Sequence, residues 1–460
     1  MTKNLLILIF LLPFTGFGQN DDVLPDAEVI KNIYTTALVE NQGYMWLKEL
    51  TDIGPRLTGS PQADEAVFRF QEIADSLGFQ TYLQPVKVPQ WIRGDQEEAY
   101  YSIQDGVKIT LNPCALGGSI PTPVKGLKAP LFEISSFDQL DTITDQLEGK
   151  IAFYNIPMNP AFINTFFAYA NAAKQRYVGA LEASKKGAVG VITRSLSATI
   201  NDLPHTGSMT YKGADVKIPA MAISTADAEV LSRNLKQTSQ IEFFMKMNCE
   251  KRDSVTSYNL IAEIKGESKP EEVIVIGGHI DSWDLGTGAH DDGAGCVHSL
   301  ESVWLLKKLG LLPKRTIRVV FFMNEEFGLN GAKVYAQKSK EENIKHVVAI
   351  ESDAGGYTPR GISMTAPDSI IATIRALRSL LEPYGLHQFT EGGSGADISQ
   401  LYRPDLVMIG LRPDNQRYFD IHHSSADVLS SVSPRELEMG SASLASIIYL
   451  FDKYDIISRK

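Results

Sequence analysis

Residues 273–296, VIVIGGHIDSWDLGTGAHDDGAGC, constrain the fold of this chain more than any other stretch. They begin with four β-branched apolar residues, a pattern typical of a strand that is buried on both faces of a parallel sheet. His279 and Asp281 follow, two residues apart, so on an extended chain they point to the same side. Histidine and carboxylate groups at the carboxyl end of a central strand indicate a functional site, and these ligand types suit zinc.

The length and the charge of the chain limit its class. With 460 residues, the chain is too long for one ordinary core, so we expect two domains or one domain with a large insertion. A hydrophobic content of 43% and a charged content of 22% are typical of globular proteins. The net charge of −11 lacks the basic excess that nucleic-acid binding requires, which excludes nucleic acids as partners.

The first residues have the pattern of a targeting segment. Lys3 precedes an apolar run at residues 5–12, and the small residues Gly16 and Gly18 suit a cleavage site. We therefore predict a signal peptide over residues 1–18 and a periplasmic or secreted mature protein. The apolar run is too short to span a bilayer, and no other stretch is long and apolar enough, so we expect no membrane partner.

The three cysteines do not form a disulfide framework. In an oxidising compartment Cys114 and Cys249 could pair, and the sequence leaves this open. Cys296 falls on the helix predicted after Asp292, where we interpret it as a small buried hydrophobic residue.

Strand-like and helix-like patterns alternate from residue 258 onward, which predicts a mixed central sheet flanked by helices on both faces. Strands are predicted at residues 258–264, 273–281, 315–324, 345–353, 361–365 and 405–410, and helices at residues 294–309, 330–340, 368–384 and 434–454. Residues 91–253 differ, because short strand-like runs and turns surround two helical patterns at 170–186 and 225–235. We interpret this region as an inserted β-rich module with a core at about 120–250. The main α/β domain then comprises residues 19–90 and 254–460.

Three further polar clusters follow apolar runs in the predicted sheet. They contain Glu325 and Glu326, then Asp353, then His422 and His423. Each cluster alone could be a turn or a helix cap. Four such clusters at strand ends of one sheet instead predict a shared site, and acidic pairs at a buried strand end require a neutralising cation. Two adjacent metal ions need a bridging carboxylate, and hydrolysis needs a carboxylate that is not a ligand.

The segments GGHIDSWDLGTGAHDDGAG, MNEEFGLNGA, ESDAGG and HHSSAD resemble, in this order, the signatures of the co-catalytic dizinc aminopeptidase superfamily, and within it those of the carboxypeptidase Q group. The resemblance includes the inserted region, which is similar to a protease-associated domain, most clearly at residues 217–224. It implies the zinc exopeptidase fold, two Zn²⁺ per chain and a secreted metallopeptidase that hydrolyses short peptides or dipeptides. It also implies a homodimer.

The resemblance implies a ligand set for the two zinc ions. Asp291 would bridge both ions, His279 and Asp353 would complete one site, and Glu326 and His423 would complete the other. Periodicity alone does not tell which of the two adjacent histidines faces the metal, whereas the family pattern selects the second. An oxygen-rich dinuclear site also accepts cobalt or manganese, so the metal bound in the cell stays open.

The resemblance also assigns supporting roles. Glu325 would be the general base, and Asp281 would hydrogen-bond the far nitrogen of the ligand His279 and fix its tautomer. The peptide bond between the bridging aspartate and Asp292 is expected to be cis. The loop that contains Gly395 and Asp397 could hold a substrate terminus, such as a free amino group at the carboxylate, or could simply cap a helix.

Two other functions share this fold. A receptor-like binding protein would have lost metal ligands, yet every expected ligand position is filled here. A glutaminyl cyclase-like acyl transferase uses one zinc ion, and it lacks both the inserted region and the second aspartate at the position of Asp292. The sequence leaves open which substrate terminus is recognised, so an aminopeptidase, a carboxypeptidase and a dipeptidase all remain candidates.

Overall fold

The computed structural model of this chain describes residues 25–103, 106–238 and 241–457. The signal peptide predicted over residues 1–18 lies outside these ranges. Among the helices within the described ranges, none combines the length and the apolar character that a membrane span needs.

Helices and strands are distributed along the whole described chain. The strands are β1 (Gln80–Ile92), β2 (Glu97–Ser102), β3 (Lys108–Thr110), β4 (Pro113–Ala115), β5 (Leu127–Ile134), β6 (Ile151–Tyr154), β7 (Gly190–Arg194), β8 (Ala220–Ile223), β9 (Glu242–Met247), β10 (Glu250–Ile264), β11 (Lys269–His279), β12 (Arg315–Phe322), β13 (Lys345–Glu351), β14 (Pro359–Thr365), β15 (Gln388–Glu391) and β16 (Val407–Pro413). The helices are α1 (Asp26–Glu40), α2 (Gln42–Asp52), α3 (Pro61–Ser76), α4 (Phe137–Thr142), α5 (Thr165–Ala172), α6 (Lys174–Tyr177), α7 (Gly179–Ser184), α8 (Thr225–Gln237), α9 (Ala294–Lys308), α10 (Asn330–Glu341), α11 (Asp368–Ala376), α12 (Arg378–Leu381), α13 (Tyr418–Ile421) and α14 (Pro434–Lys453).

An eight-stranded sheet is built from β1 and from β10 to β16, in the order β1-β10-β12-β11-β13-β16-β14-β15. The four central strands β12, β11, β13 and β16 run parallel to one another. The strand β10 pairs antiparallel with β1 and β12, and β14 pairs antiparallel with β16 but parallel with β15. The predicted mixed central sheet is therefore confirmed.

Helices cover both faces of this sheet. Successive residues of a strand point to opposite sides, and β11 shows the consequence. Ile274 and Ile276 pack into a core that contains residues of α1, α2, α3, α9 and α14, whereas Val275 packs on the other face with residues of α10. Because the four central strands are parallel, the polar side chains that follow them lie together at one edge of the sheet.

The inserted region contains a second eight-stranded sheet, in the order β3-β2-β9-β5-β6-β7-β8-β4. The predicted boundaries, residues 91 and 253, fall inside β1 and β10, which form a long antiparallel ribbon from Gln80↔Glu263 to Ile92↔Glu250. This ribbon leads the chain into the second sheet and back. The region is richer in helix than predicted, because its strands β5 to β8 are parallel and parallel strands need crossover connections.

The prediction of one continuous helix at residues 170–186 is wrong. The structure has three short helices instead, α5, α6 and α7, and Val178 between the last two has non-helical dihedrals, φ −116° and ψ 1°. The hydroxyl of Tyr154 donates a hydrogen bond of 3.0 Å to the carbonyl oxygen of Gly179, and its ring lies against that glycine. A tertiary contact therefore sets the helix junction, and helical periodicity alone does not predict it.

The cysteines are buried and free. The pairing of Cys114 with Cys249, which the sequence left open, is not formed in the structure. Cys296 is fully buried in the core beside β11, which confirms its interpretation as a small hydrophobic residue.

Candidate metal centre

The site lies where three parallel strands end side by side. In the register of the sheet, His279 of β11 is opposite Phe322 of β12, and Gly277 of β11 is opposite Glu351 of β13. Residues that directly follow β12 and β13 are therefore placed beside the end of β11. This register places Glu325, Glu326 and Asp353 next to the histidine that ends the central strand.

Asp291 lies between two groups of possible metal ligands. On one side, Nε2 of His279 is 3.3 Å from Oδ1 of Asp291 and 3.6 Å from Oδ1 of Asp353. On the other side, Nε2 of His423 is 3.1 Å from Oδ2 of Asp291 and 3.3 Å from Oε2 of Glu326. The structure thus brings together all five residues of the predicted ligand set, with a different oxygen of Asp291 facing each group.

The two adjacent histidines both reach this cluster, but they differ in their surroundings. Their rings stack with centroids 3.5 Å apart, and Nε2 of His422 lies 3.4 Å from Oδ2 of Asp291. The Nδ1 atom of His422 is buried without a hydrogen-bond partner among the described residues. In contrast, Nδ1 of His423 donates a hydrogen bond of 3.2 Å to the carbonyl oxygen of Thr206. Such a bond orients an imidazole for metal binding through Nε2, so the geometry favours His423.

The donor set suits divalent cations. Oε1 of Glu326 is buried without a hydrogen-bond partner among the described residues, and the carboxylate of Asp291 is shared by two of the groups of possible ligands. Groups of three donors, such as His279, Asp291 and Glu326, have ligand atoms within 4.8 Å of one another. Unpaired buried charge is costly, and a bound cation removes that cost. Imidazole together with carboxylate oxygen is a ligand combination that zinc accepts.

The charged side chains of the cluster shift one another's pKa values. Burial lowers the pKa of His279, but Asp291 and Asp353 beside it outweigh burial and raise that pKa well above its ordinary value. Burial raises the pKa of Asp291, but His279 and His423 outweigh burial and hold that pKa well below its ordinary value. Because ligands bind metal in their deprotonated form, a metal ion bound here would displace a proton from His279.

Glu325 lines a cavity beside the two ligand groups and lies outside the predicted ligand set. Burial raises the pKa of Glu325 well above its ordinary value, and the carboxylates of Glu326 and Asp353 act in the same direction while His279 opposes them. The cavity has a volume of about 500 Å³, and Glu325 lines it together with Asp291 and Asp353. A carboxylate in this position can exchange protons with a molecule in the cavity.

Backbone contacts hold the loop that contains Asp291. The carboxylate of Asp427 accepts hydrogen bonds from the backbone N–H groups of His290, at 2.7 Å, and Asp291, at 3.1 Å. Asp292 accepts one from the backbone N–H of His279 at 3.1 Å. The peptide bond between Asp291 and Asp292 is cis, which confirms that prediction. Asp427 belongs to the HHSSAD segment, but its type and spacing alone did not indicate this role.

The predicted hydrogen bond from His279 to the carboxylate of Asp281 is not formed, because the acceptor is the backbone carbonyl oxygen of Asp281 instead. Nδ1 of His279 donates to the backbone carbonyl oxygen of Asp281 at 2.9 Å, whereas the Asp281 carboxylate lies 3.9 Å away. That carboxylate accepts hydrogen bonds from the backbone N–H groups of Asn324, at 2.8 Å, and Glu325, at 3.1 Å, and from the hydroxyl of Thr58. After β11 the Asp281 side chain points toward the end of β12. Its carboxylate therefore fixes the turn that contains Glu325.

Other residues that support the site were not predicted. The indole Nε1 of Trp283 donates a hydrogen bond of 2.6 Å to Oε2 of Glu326 and thereby orients this carboxylate. Arg56 is fully buried and donates to three backbone carbonyl oxygens, those of Ile280, Thr287 and Gly288. Arg56 lies in the segment before α3, far from residues 280–288 in the sequence, so its contacts with them depend on the tertiary fold.

The loop with Gly395 and Asp397 does not present its carboxylate to a cavity. Asp397 is only 1% exposed, and neither of its oxygens has a hydrogen-bond partner among the described residues. The carboxylate of Glu351 accepts hydrogen bonds from the backbone N–H groups of Ala396, at 2.7 Å, and Ile398, at 2.8 Å. These bonds hold the loop against the end of β13. Gly395 lines a second cavity, of about 1010 Å³, next to Asp353. This geometry does not support the predicted contact of Asp397 with substrate.

The inserted region forms part of the wall of the first cavity. Tyr169 and Arg176 line it together with Glu325, although these residues are far apart in the sequence. Phe166 of α5 stacks on Tyr418 of α13, with ring centroids 5.4 Å apart. The wall of the cavity beside the metal centre is therefore formed by helices of the inserted region together with loops that follow the parallel strands of the first sheet.

The sequence and the fold are similar to those of known peptidases. The profile described as Peptidase family M28 matches residues 259–447. The chain is 35% identical to carboxypeptidase Q of Homo sapiens over 427 residues, which are 92% of this chain and 88% of that protein. It is also 35% identical to the solved structure of a peptidase M28 precursor from Shewanella amazonensis SB2B, with a TM-score of 0.89 and coverage of 95% of this chain and 98% of that one.

A more distant similarity concerns the fold alone. The zinc aminopeptidase BSAP from Bacillus subtilis has a TM-score of 0.62 at 22% identity, and the alignment covers 91% of this chain and 95% of that one.

Proposed function

The chain belongs to peptidase family M28 and is a zinc exopeptidase, and from that premise we propose that it binds two zinc ions and hydrolyses short peptides, dipeptides among them. The observation that carries the proposal is the position of Asp291, whose two carboxylate oxygens face two separate groups of ligands. In the proposed arrangement, His279 and Asp353 belong to one zinc site. Glu326 and His423 belong to the other.

The proposed reaction uses residues that already surround the cavity. When bound, the zinc ions supply Lewis acidity toward the peptide carbonyl and lower the pKa of a bound water. Glu325 takes a proton from the attacking water and delivers it to the nitrogen of the leaving group. Its carboxylate suits this role because it lines the cavity and lies outside the proposed ligand set. Asp281 keeps Glu325 in place through the backbone N–H groups of the turn.

The proposal extends to the organisation of the chain. Residues 19–90 and 254–460 form the zinc peptidase domain, and residues 91–253 form an inserted protease-associated domain. The eight-stranded sheet formed by β2 to β9 supports the second assignment, because all its strands lie within the inserted residues. The proposal includes cleavage of a signal peptide at residues 1–18, export from the cytoplasm and a homodimeric assembly.

The function is tested with alanyl-leucine, its N-acetyl form and its C-amide, with products followed by mass spectrometry. The zinc-loaded protein is expected to cleave the free dipeptide, and removal of zinc by a chelator is expected to abolish cleavage because the Lewis acid is lost. Readdition of zinc should restore activity. A peptide with an N-terminal glutamine serves as the control for acyl transfer, since ammonia release without peptide-bond cleavage would contradict the peptidase assignment.

Asp281→Ala is expected to lower kcat/KM about 10–100-fold with unchanged zinc content. The physical reason is that the buried N–H groups of Asn324 and Glu325 lose their acceptor, at about 1–3 kcal/mol each, and the turn that carries the base shifts. The measurement pairs steady-state kinetics with elemental analysis. Asp281→Asn keeps one acceptor oxygen and should lose less activity. A large loss of zinc in Asp281→Ala would instead show that this carboxylate acts through His279.

A further inference from the structure

Trp283 is close to the proposed metal ligands in the sequence, but its side chain packs in the core of the inserted region. In the part of the chain that the structure describes, the buried residues of this core come from residues 91–253, with Leu57 and Trp283 as the exceptions. The ring of Phe327 packs against the same core, and its centroid lies 4.8 Å from that of the indole. Phe327 directly follows the proposed ligand Glu326. The turn after β12 is therefore anchored in the inserted region.

The indole of Trp283 connects this core to one proposed zinc site. Its Nε1 donates a hydrogen bond of 2.6 Å to Oε2 of Glu326, and the same oxygen lies 3.3 Å from Nε2 of His423. A hydrogen bond to a carboxylate is stronger than one between neutral groups, so it holds this oxygen in its orientation. Because the inserted region holds the indole, it also controls the direction in which the ligand oxygen points.

The inserted region leaves just enough space for the indole at Gly117. A Cβ atom at this position would overlap with Cη2 and Cζ3 of Trp283. The backbone N–H of Gly117 donates to the carbonyl oxygen of Gly207 at 2.9 Å, and its carbonyl oxygen accepts a hydrogen bond of 3.0 Å from the N–H of Met209. A side chain at position 117 therefore has to displace either the indole or these hydrogen-bonded segments.

The same part of the inserted region holds the second ligand of this site. The backbone N–H of Thr206 donates to the carbonyl oxygen of His423 at 3.0 Å, and Nδ1 of His423 donates to the carbonyl oxygen of Thr206 at 3.2 Å. Thr206 is fully buried, and its hydroxyl donates to the carbonyl oxygen of Ala115 at 2.8 Å. The segments 115–117 and 206–209 thus form one hydrogen-bonded unit that packs on the indole and also orients the histidine.

The ligands of the other proposed site are supported differently. Nδ1 of His279 donates to the carbonyl oxygen of Asp281 at 2.9 Å, and its backbone N–H donates to Asp292 at 3.1 Å. Asp353 comes just after β13 and lies 3.6 Å from His279. Within the described ranges, no hydrogen bond or ion pair joins His279 or Asp353 to the inserted region. The two proposed sites therefore differ in which part of the chain holds their ligands.

We propose that the inserted region sets the zinc affinity of the site formed by Glu326 and His423, with Trp283 as a positioning residue, and leaves the site of His279 and Asp353 unaffected. The inference rests on the proposed binding of two zinc ions and goes beyond it, because it makes the two sites unequal. Zinc binding and the packing of the inserted region on the indole are then coupled, and each favours the other. The inserted region thus acts in metal loading, although it contributes no proposed ligand.

The test measures the zinc affinity of each site separately in the full-length protein. Asp353→Ala leaves the site of Glu326 and His423, whereas Glu326→Gln leaves the other site. Trp283→Phe is added to each of these variants, because phenylalanine keeps an aromatic ring but lacks the indole N–H. In zinc titrations followed by calorimetry, Trp283→Phe is expected to raise Kd about 10–100-fold in the Asp353→Ala protein and to leave Kd nearly unchanged in the Glu326→Gln protein.

Trp91→Phe is the matched control. Trp91 lies in the same core and also packs near Phe327, with ring centroids 6.3 Å apart. Its Nε1 donates to the backbone carbonyl oxygen of Ser119 at 3.0 Å and not to a ligand. The control removes the same kind of donor from the same core, so it should change neither zinc affinity even if the protein becomes less stable.

Gly117→Ala tests the coupling from the side of the inserted region. Gly117 is not among the residues with positive φ, so alanine adds no backbone strain, and its effect comes from the displaced indole. This variant keeps the indole N–H of Trp283 and every ligand. It is expected to weaken zinc binding in the Asp353→Ala protein and to leave the Glu326→Gln protein unchanged.

Several results would overturn the inference. These are an equal loss of affinity at both sites in Trp283→Phe, no loss at either site, or a loss in Trp91→Phe that equals the loss in Trp283→Phe. A wild-type protein that binds no zinc overturns it as well.

Failure of the proposed function would look different. A wild-type protein that binds two zinc ions but cleaves no peptide contradicts the proposed reaction, and the zinc affinities still decide the inference. If the wild-type protein binds one zinc ion per chain, the proposal of two ions fails. A loss of affinity for that single ion in Trp283→Phe and not in Trp91→Phe would then support the role of the inserted region, and equal affinities in both variants would overturn it.

Discussion

Glu325→Gln is expected to lower kcat by about 10²–10⁴-fold while the zinc content stays at the wild-type value. The amide keeps the shape of the carboxylate, but it can neither take a proton from water nor return one to the leaving nitrogen. The residue lines the cavity outside the proposed ligand set, so its loss should not weaken metal binding. Single-turnover kinetics with alanyl-leucine, together with elemental analysis of zinc, measure both quantities on the same preparation.

The neighbouring residue provides the control for this experiment. Glu326→Gln changes the same functional group one position further along, at a residue whose carboxylate lies 3.3 Å from His423 and accepts a hydrogen bond from Trp283. This variant is expected to lose zinc as well as activity. If Glu325→Gln also lost zinc, or retained more than a tenth of wild-type kcat, its role as proton carrier would be wrong.

Asp291→Ala is expected to reduce zinc binding at both sites and to abolish measurable peptide cleavage. This is the largest effect on the metal centre that we expect from one substitution, because a different oxygen of Asp291 faces each ligand group. Its removal deletes one ligand from both sites and leaves His279 and His423 without their shared carboxylate. Zinc stoichiometry by elemental analysis after dialysis, in parallel with activity, tests this expectation.

Asp353→Ala is the control for Asp291→Ala. It removes one carboxylate from the cluster without removing the proposed bridging residue. Asp353 lies 3.6 Å from His279 and belongs to the group on one side of Asp291 only. This variant should lose the zinc ion of that side and keep the other. If Asp291→Ala kept one zinc ion at wild-type affinity, Asp291 would belong to a single site and the proposal of a bridging carboxylate would fail.

The central part of this fold could be predicted from the sequence because its signals are local. The β-branched run before His279 indicates a buried strand, and the apolar run before Glu325 indicates another. Parallel strands place their carboxyl ends at one edge, so the polar residues after them must meet. The cis bond after Asp291 came from the resemblance to a family, since no local pattern distinguishes a cis from a trans bond at that position.

The rest of the site depends on contacts between residues that are far apart in the sequence. The carbonyl oxygen of Thr206 orients His423, 217 residues later, and no local pattern connects them. Asp281 was assigned the wrong partner, because the side of a chain on which a carboxylate points after a strand ends depends on the neighbouring turn. The sequence left open whether Asp397 meets a substrate or lies in a loop that caps a helix; in the structure it is buried, and backbone N–H groups of its loop donate to Glu351. Burial of a polar side chain is decided by such tertiary contacts.

The order in which the site residues occur along the chain has a consequence for biosynthesis. A ribosome completes the inserted region, with Arg176 and Thr206, before it reaches the first proposed ligand, His279. It adds His423, the last one, only after a further 144 residues, since 423 − 279 = 144. Domains fold as units, so the part of the cavity wall that the inserted region supplies can fold without any of the ligands. The proposed pair of zinc sites therefore cannot assemble until residue 423 has left the exit tunnel, and we expect metal loading to follow most of translation.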